Sequence, residues 1–184
     1  MADVLPDAYL LGLIGLLAIA AVVVARQILK VRREEVILSR LGGTKTAEGS
    51  TLDAASLYEL ASVQLRKRLY GQATDTLKTA LKQSQSESCP PEATALMENA
   101  LGFALAAQGK LPAAIRHYRA ALKAQSDYPV ALNNLAFALE KQGKEEEARQ
   151  SYNQALALEP GNKTALKRLR SLDRRAGVST PPAA

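Results

Sequence analysis

Few side chains in this sequence could do acid–base or nucleophilic chemistry. Among its 184 residues there is one histidine, His117, and one cysteine, Cys89. A zinc site with two histidines and a disulfide within the chain are therefore both impossible. Cys89 lies near Glu87 and Glu92, whose charges oppose a reactive thiolate, and His117 is interpreted as a surface histidine. Glycine loops of the phosphate-binding types do not occur. We expect no catalytic residue, no metal site and no cofactor, and hence not an enzyme.

The net charge of +6 is concentrated outside the middle of the chain. Residues 54–162 carry twelve bases and eleven acids, whereas residues 163–184 carry six bases and one acid. Nucleic-acid binding would require stacking aromatics or a recognised fold beside the basic residues, and the sequence has neither. The basic end is interpreted as a solvated cap or as a patch for an acidic partner or a membrane surface. We expect neither nucleic acid nor a small-molecule substrate as a ligand.

The elements that would position any site are helical hairpins of 34 residues. Residues 129–162 place small and large apolar residues at the spacing of a tetratricopeptide repeat. Shifted back by 34 residues the pattern returns, so that Gly102 corresponds to Ala136 and Tyr118 to Tyr152. The sequence therefore predicts an all-α protein, an α-solenoid of such hairpins.

Three repeats are predicted within a domain at 54–162. They cover 54–87, 95–128 and 129–162, with an insertion at 88–94. The first copy is degenerate, because Arg68 occupies the position of a glycine in the other two and Gly71 comes three residues late.

A basic helix at 163–176 is predicted to cap the last hairpin, followed by a disordered tail at 177–184. Leu166, Leu169 and Leu172 recur at a spacing of three and are expected to cover the apolar face of that hairpin. The basic residues of the cap are expected to face solvent: Lys163, Lys167, Arg168, Arg170, Arg174 and Arg175.

Residues 8–25 contain no charged side chain and predict a single transmembrane helix. Eighteen residues at 1.5 Å each span about 27 Å, close to the hydrocarbon thickness of a bilayer. The acidic start, with Asp3 and Asp7, disfavours a secretory signal peptide, and a buried core helix is the other alternative. The exit from this segment is basic, with Arg26, Lys30, Arg32 and Arg33.

This charge asymmetry predicts the topology. Basic flanks remain on the cytoplasmic or stromal side, so the repeats are expected there and residues 1–7 across the membrane. Residues 26–41 are expected to continue the helix, either as a solvated extension near lipid headgroups or in contact with a partner. Residues 42–53 are expected to form a flexible linker.

Resemblance to tetratricopeptide arrays implies that the first helices line a groove that binds a protein. Phe103 and Phe137 share one repeat position and are predicted to form an aromatic docking strip, with packing in the core as the alternative. The basic clamp with which chaperone-binding arrays hold a terminal carboxylate is missing, so an acidic chaperone tail is not the expected ligand. The predicted groove residues are Tyr58, Leu65, Arg66, Leu96, Asn99, Phe103, Val130, Asn133, Phe137 and Glu140.

The whole architecture resembles one family in particular. An acidic amino terminus, one transmembrane helix with a basic exit, a glycine-containing linker and three repeats with a basic cap are similar to the thylakoid-anchored tetratricopeptide proteins of cyanobacteria and plastids. That resemblance implies an assembly factor for photosystem I, with core subunits or assembly intermediates as partners and lipid around the amino-terminal helix. The alternative is a membrane-anchored scaffold for envelope, secretion, pilus or cell-wall machinery.

Overall fold

The computed structural model describes residues 4–41 and 52–177, and within these it contains helices and no strands. The predicted linker, apart from Leu52 and Asp53, and most of the predicted tail lie outside the described residues. The eight helices are α1 Val4–Leu41, α2 Ala54–Arg66, α3 Tyr70–Ser86, α4 Pro91–Ala107, α5 Leu111–Ala124, α6 Pro129–Lys141, α7 Glu145–Leu158 and α8 Lys163–Arg175.

The helices pack in a linear order that follows the chain. The pairs α2–α3, α4–α5 and α6–α7 form three antiparallel hairpins, each hairpin packs on the next, α1 contacts α2, and α8 packs on α7. This arrangement, with an N-terminal apolar helix, confirms the all-α solenoid predicted from the repeat pattern.

A small residue on each first helix and a large residue on each second helix form the repeating unit of the core. Ala61, Gly102 and Ala136 are buried at the close-approach position of α2, α4 and α6. Leu77, Tyr118 and Tyr152 are the corresponding buried residues of α3, α5 and α7. All of these except Gly102, which has no side chain to count, belong to one apolar cluster that runs through the three hairpins. A continuous core of this kind is what stacking of repeats produces.

The turns within the hairpins share one backbone geometry. Gly109 and Gly143 both have φ of +77°, and Arg68 has φ of +59° at the corresponding place in the first hairpin. In each case the next amide donates to a carbonyl five residues earlier, as when Leu69 N donates to Gln64 O at 2.8 Å. The first repeat therefore keeps the left-handed turn although arginine replaces the glycine that this conformation favours.

The α4 helix begins at Pro91, inside the predicted insertion 88–94 and four residues before the predicted second repeat. Proline is well suited to the first turn of a helix, because its fixed φ is helical and its missing N–H would have no partner there. Most of the insertion is thus an added first turn of α4, and Cys89 packs beside a small apolar cluster that includes Met97.

The cap differs in one respect from the expectation. Ala165 and Leu172 are fully buried against the last hairpin and Leu169 is half-buried, but Leu166 is 36% exposed. Residues 165, 169 and 172 follow the helical period of 3.6 residues and so lie on one face of α8. Residues spaced strictly by three rotate away from that face. The prediction that Leu166 covers the hairpin is therefore wrong, and Ala165 takes that place.

The α1 helix is continuous through the predicted transmembrane and juxtamembrane segments. Within the described residues, its stretch Gly12–Ile37 is long and apolar enough to cross a membrane, and none of its most apolar window is buried against the protein. Near its carboxyl end α1 meets α2, where Arg66 Nε donates to Glu34 Oε1 at 2.7 Å.

Candidate functional site

The first helices of the three hairpins carry the predicted groove residues. Tyr58, Leu65 and Arg66 lie on α2; Leu96, Asn99 and Phe103 lie on α4; Val130, Asn133, Phe137 and Glu140 lie on α6. Four apolar members of this set are exposed: Leu96 by 39%, Phe103 by 45%, Val130 by 53% and Phe137 by 36%. The two phenylalanines therefore lie outside the buried core.

Phe103 and Phe137 line the same cavity, with a volume of about 360 Å³, between α4, α5 and α6. Its wall is mostly apolar, with Ala106, Leu111 and the ring of Tyr118 among its lining residues. Asn134 and Lys141 supply the polar groups at this site.

The neighbours of the two rings differ. Phe103 packs edge-to-face with Tyr70 of α3, with ring centroids 6.4 Å apart and an interplanar angle of 71°. Phe137 has Arg168 Cζ 4.6 Å and Lys141 Nζ 5.5 Å from its ring centroid. A cation over the face of an aromatic ring is attracted by the quadrupole of the ring. The pocket is thus aromatic with a cationic edge at the α6–α8 end.

Asn99 is a predicted groove residue that the structure buries. Its side-chain nitrogen donates to Tyr128 Oη at 3.3 Å, and its oxygen accepts from Asn134 Nδ2 at 2.9 Å. Burial raises the pKa of the Tyr128 hydroxyl above its usual range, which keeps this tyrosine neutral. Beside this network, Asn133 Oδ1 is buried with no partner among the described residues. Asn99 therefore shapes the surface from beneath and is not free to contact a partner.

Glu140, predicted to face the groove, is instead a structural centre, and its side chain is only 7% exposed. Its carboxylate accepts a hydrogen bond from Arg175 of α8 and one from Tyr152 Oη at 3.3 Å, and Arg168 Nη1 lies 3.8 Å away. Burial, helped by the negative charge of Glu140, raises the pKa of Tyr152. The prediction that Glu140 faces the groove is wrong, because its carboxylate contacts Tyr152 of α7 and Arg168 and Arg175 of α8.

Of the three predicted groove residues of α2, only Arg66 is exposed, with 47% of its side chain accessible. Arg66 pairs with Glu34 of α1. Tyr58 and Leu65 are partly buried and pack against the core cluster. The surface available for docking is therefore concentrated on α4 and α6.

The basic residues of the cap divide into two groups. Arg168 and Arg175 pair with Glu140, although their side chains remain 39% and 46% exposed to solvent. The other four are exposed: Lys163, Lys167, Arg170 and Arg174. Another ion pair joins Arg149 of α7 to Asp173 of α8, and this hydrogen bond raises the pKa of the guanidinium.

At the predicted membrane flank, Arg26, Lys30 and Arg32 are exposed, and the side chain of Arg33 lies outside the described residues. Arg26 and Lys30 line a cavity of about 430 Å³ with Glu34 and Arg66, between α1 and α2.

His117 and Cys89, the side chains that could take part in acid–base or nucleophilic chemistry, make ordinary contacts. His117 Nδ1 lies 2.6 Å from Glu98 Oε2, and Cys89 Sγ lies 3.9 Å from Glu87 Oε2. Among residues 4–41 and 52–177 there is no cluster of three or more His, Cys, Asp and Glu able to hold a metal. The sequence reasoning missed Tyr70 and Lys141 as neighbours of the two phenylalanines, since these contacts join different helices or depend on side-chain direction.

Comparison with known proteins agrees with the geometry. Two tetratricopeptide repeat models match residues 102–143 and 129–162. The chain is 33% identical over 164 residues to the chloroplastic tetratricopeptide repeat domain-containing protein PYG7 of Arabidopsis thaliana. That match covers 89% of this chain and 53% of the relative, so the chain spans about half the length of the relative. The match confirms the resemblance to a plastid tetratricopeptide protein.

Solved structures share the fold at low sequence identity. The crystal structure of MamA has a TM-score of 0.63 and 18% identity over 80% of this chain and 77% of the other. The first tetratricopeptide domain of Spaghetti (RPAP3), bound to an HSP90 peptide, has a TM-score of 0.62 and 22% identity over 68% and 94%. The Arabidopsis OM64 domain has a TM-score of 0.61 and 19% identity over 66% and 95%. The chain therefore has the tetratricopeptide repeat fold, and its residues 102–162 match tetratricopeptide repeat models.

Proposed function

We propose that this protein is a membrane-anchored adaptor that holds protein clients on its repeats and assists the assembly of photosystem I. Its clients would be core subunits or assembly intermediates at the thylakoid membrane. The tetratricopeptide fold is a protein-interaction scaffold, which supports the general role. The chloroplastic relative and the resemblance of the whole architecture support the more specific one.

The cavity between Phe103 and Phe137 is the observation that carries the docking role. Two large aromatic side chains, 45% and 36% exposed, flank an opening with mostly apolar walls. Exposed aromatics of this kind are typical centres of binding energy, because a partner side chain that fills such a pocket is fully removed from water. A client segment that inserts an apolar side chain here would also meet the positive charge of Lys141.

The apolar helix α1 supports a role at a membrane. By length and composition Gly12–Ile37 can span a bilayer, and the basic flank lies in the carboxyl-terminal half of this stretch. The positive-inside rule favours repeats on the cytoplasmic or stromal side, where client subunits that expose surfaces to that side are accessible.

Affinity purification of the tagged full-length protein from membranes in mild detergent tests this proposal. We expect photosystem I core subunits to be recovered in sub-stoichiometric, immature complexes. The double variant Phe103→Ala/Phe137→Ala should lose them while its far-UV circular dichroism remains helical. The control is Leu69→Ala/Leu158→Ala, which removes two apolar side chains that are similarly exposed, by 38% and 47%, outside the cavity.

Three results would contradict the proposal. Recovery of envelope, secretion or pilus machinery without photosystem subunits would assign the protein to a different scaffold. If both double variants lose clients equally, client binding does not depend on the cavity. Release of the protein from membranes by alkali would exclude the transmembrane anchor.

A further inference from the structure

The outer face of α8 carries four cations that have no structural role in the repeat array. Arg168 and Arg175 hold Glu140 and so fasten α8 to α6. The other cations of the helix are exposed and form no ion pair with the residues the structure describes: Lys163, Lys167, Arg170 and Arg174. Four charges that the fold does not use are available to a partner.

These four side chains form one stripe. Their spacings of four, three and four residues place them on the same side of a helix, over a length of about 16 Å. Leu166 lies within the stripe and is 36% exposed. Two shallow depressions, of about 550 and 470 Å³, open along it, and Lys163, Lys167 and Arg174 line both. The stripe is therefore a grooved basic surface with one exposed apolar side chain, Leu166, along its edge.

We propose that this stripe is a second docking surface, which binds an acidic segment of a protein partner. Carboxylates of the partner would pair with the four cations, and an apolar side chain would cover Leu166. None of the four cations lines the cavity between Phe103 and Phe137, whose lining residues belong to α4, α5, α6 and the turn after α4. Arg168 lies between the two surfaces, since it stacks on Phe137 and lines one of the depressions. Charge complementarity of this kind determines partner choice and speeds association.

The geometry disfavours the other possible occupants. A second copy of the protein would bring the same four cations face to face, which is repulsive. A membrane is also disfavoured, because the helices pack in chain order and α8 therefore lies at the end of the array opposite α1. Nucleic acid would gain no stacking, since the stripe contains no aromatic residue.

The test uses the full-length protein in nanodiscs of neutral lipid and a fluorescein-labelled peptide of repeated Glu-Glu-Leu sequence. Fluorescence anisotropy measures the affinity of wild type, of Lys163→Gln/Lys167→Gln/Arg170→Gln/Arg174→Gln, and of the control Lys78→Gln/Lys82→Gln/Arg116→Gln/Lys123→Gln. The control removes the same charge from exposed positions on α3 and α5. We expect the stripe variant to weaken binding about tenfold or more and the control to change it about threefold or less.

Two further measurements separate this proposal from its rivals. The variant Phe103→Ala/Phe137→Ala should bind the acidic peptide like wild type, so failure of the adaptor proposal would leave this one standing. Circular dichroism checks that the stripe variant is folded. The proposal is overturned if the stripe variant and the control weaken binding equally. It is also overturned if the stripe variant loses binding only to vesicles containing phosphatidylglycerol and keeps its affinity for the peptide.

Discussion

The ring of Tyr118 packs directly against the backbone of Gly102. A Cβ atom added to Gly102 would lie 2.6 Å from Tyr118 Cε1 and 2.7 Å from Cδ1, well inside van der Waals contact. The tyrosine is 2% exposed, and its ring lies between Gly102 and the cavity that it lines. In the third hairpin Ala136 and Tyr152 stand at the repeat positions of Gly102 and Tyr118.

Gly102→Ala is therefore expected to destabilise the protein. Alanine favours a helix over glycine by about 1 kcal/mol, but overpacking at this contact costs about 1–3 kcal/mol, so we expect a net loss of up to about 2 kcal/mol. Thermal unfolding followed by circular dichroism in detergent measures this loss. Gly71→Ala is the control, because nothing lies within 4 Å of its added Cβ, and it should leave stability unchanged or slightly higher. Equal effects of the two substitutions would refute the packing argument.

Arg68→Gly is expected to stabilise the first hairpin. Arg68 adopts φ of +59°, a left-handed conformation that costs about 1 kcal/mol or more for a residue with a Cβ. Glycine removes that cost but loses more conformational entropy on folding, so a net gain of about 0.5–1 kcal/mol remains. The reciprocal change Gly143→Arg should lower stability by a similar amount. A lower unfolding temperature for Arg68→Gly would show that the arginine side chain contributes more than its backbone costs.

Glu140→Gln is expected to loosen the cap. The amide keeps the volume of the side chain but removes the charge that balances Arg168 and Arg175, so we expect a loss of about 1–3 kcal/mol. Hydrogen exchange should show the increase in amide opening mainly in α8. The control Glu146→Gln removes a carboxylate that is 87% exposed and 3.6 Å from Arg149, and it should change stability by about 0.5 kcal/mol or less. Unchanged exchange in α8 would argue against this role of Glu140.

Asp53 is expected to make the stability of α2 depend on pH. Its carboxylate accepts a hydrogen bond from Ser56 N at 2.8 Å, and hydrogen bonds from Ser56 hold the pKa of Asp53 below its usual value of 3.8. Because the folded pKa is lower than the unfolded one, the stabilisation is complete above the unfolded value and is lost as pH falls through the folded value. Asp53→Ala should cost about 1 kcal/mol at pH 7.

The pH dependence of that difference is the decisive measurement. The gap in stability between wild type and Asp53→Ala should shrink as the pH is lowered below 3.8. Asp53→Asn keeps an acceptor for Ser56 N without a titrating charge, so its stability relative to Asp53→Ala should show no such decline. A gap that stays constant down to acidic pH would exclude the carboxylate as the source of the effect.

Much of the fold could be predicted from the sequence because it follows from local patterns. The 34-residue period and the glycines at 109 and 143 are properties of short segments, and the hairpins they predict are present. The start of α4 at Pro91 was not predicted. Matching residues between repeats locates only the positions that the repeats share, and the added first turn of α4 is not one of them.

The candidate site was less predictable. Its exposed phenylalanines share one repeat position, and this signal was sufficient to select Phe103 and Phe137. Sequence periodicity could not show that Asn99 is hydrogen-bonded to Tyr128 and Asn134. Those side chains come from neighbouring elements about 30 residues away along the chain.

The sequence by itself determined the number of hairpins, the positions of their turns and the concentration of positive charge in the cap, since these depend on residue type and spacing along one chain. Only the tertiary structure decided which of these residues remain available to a partner. The carboxylate of Glu140 is hydrogen-bonded to Arg175, 35 residues later in the chain. Arg66 is hydrogen-bonded to Glu34, 32 residues earlier. The physical reason is that exposure and ion pairing depend on side chains that packing brings together from distant parts of the chain.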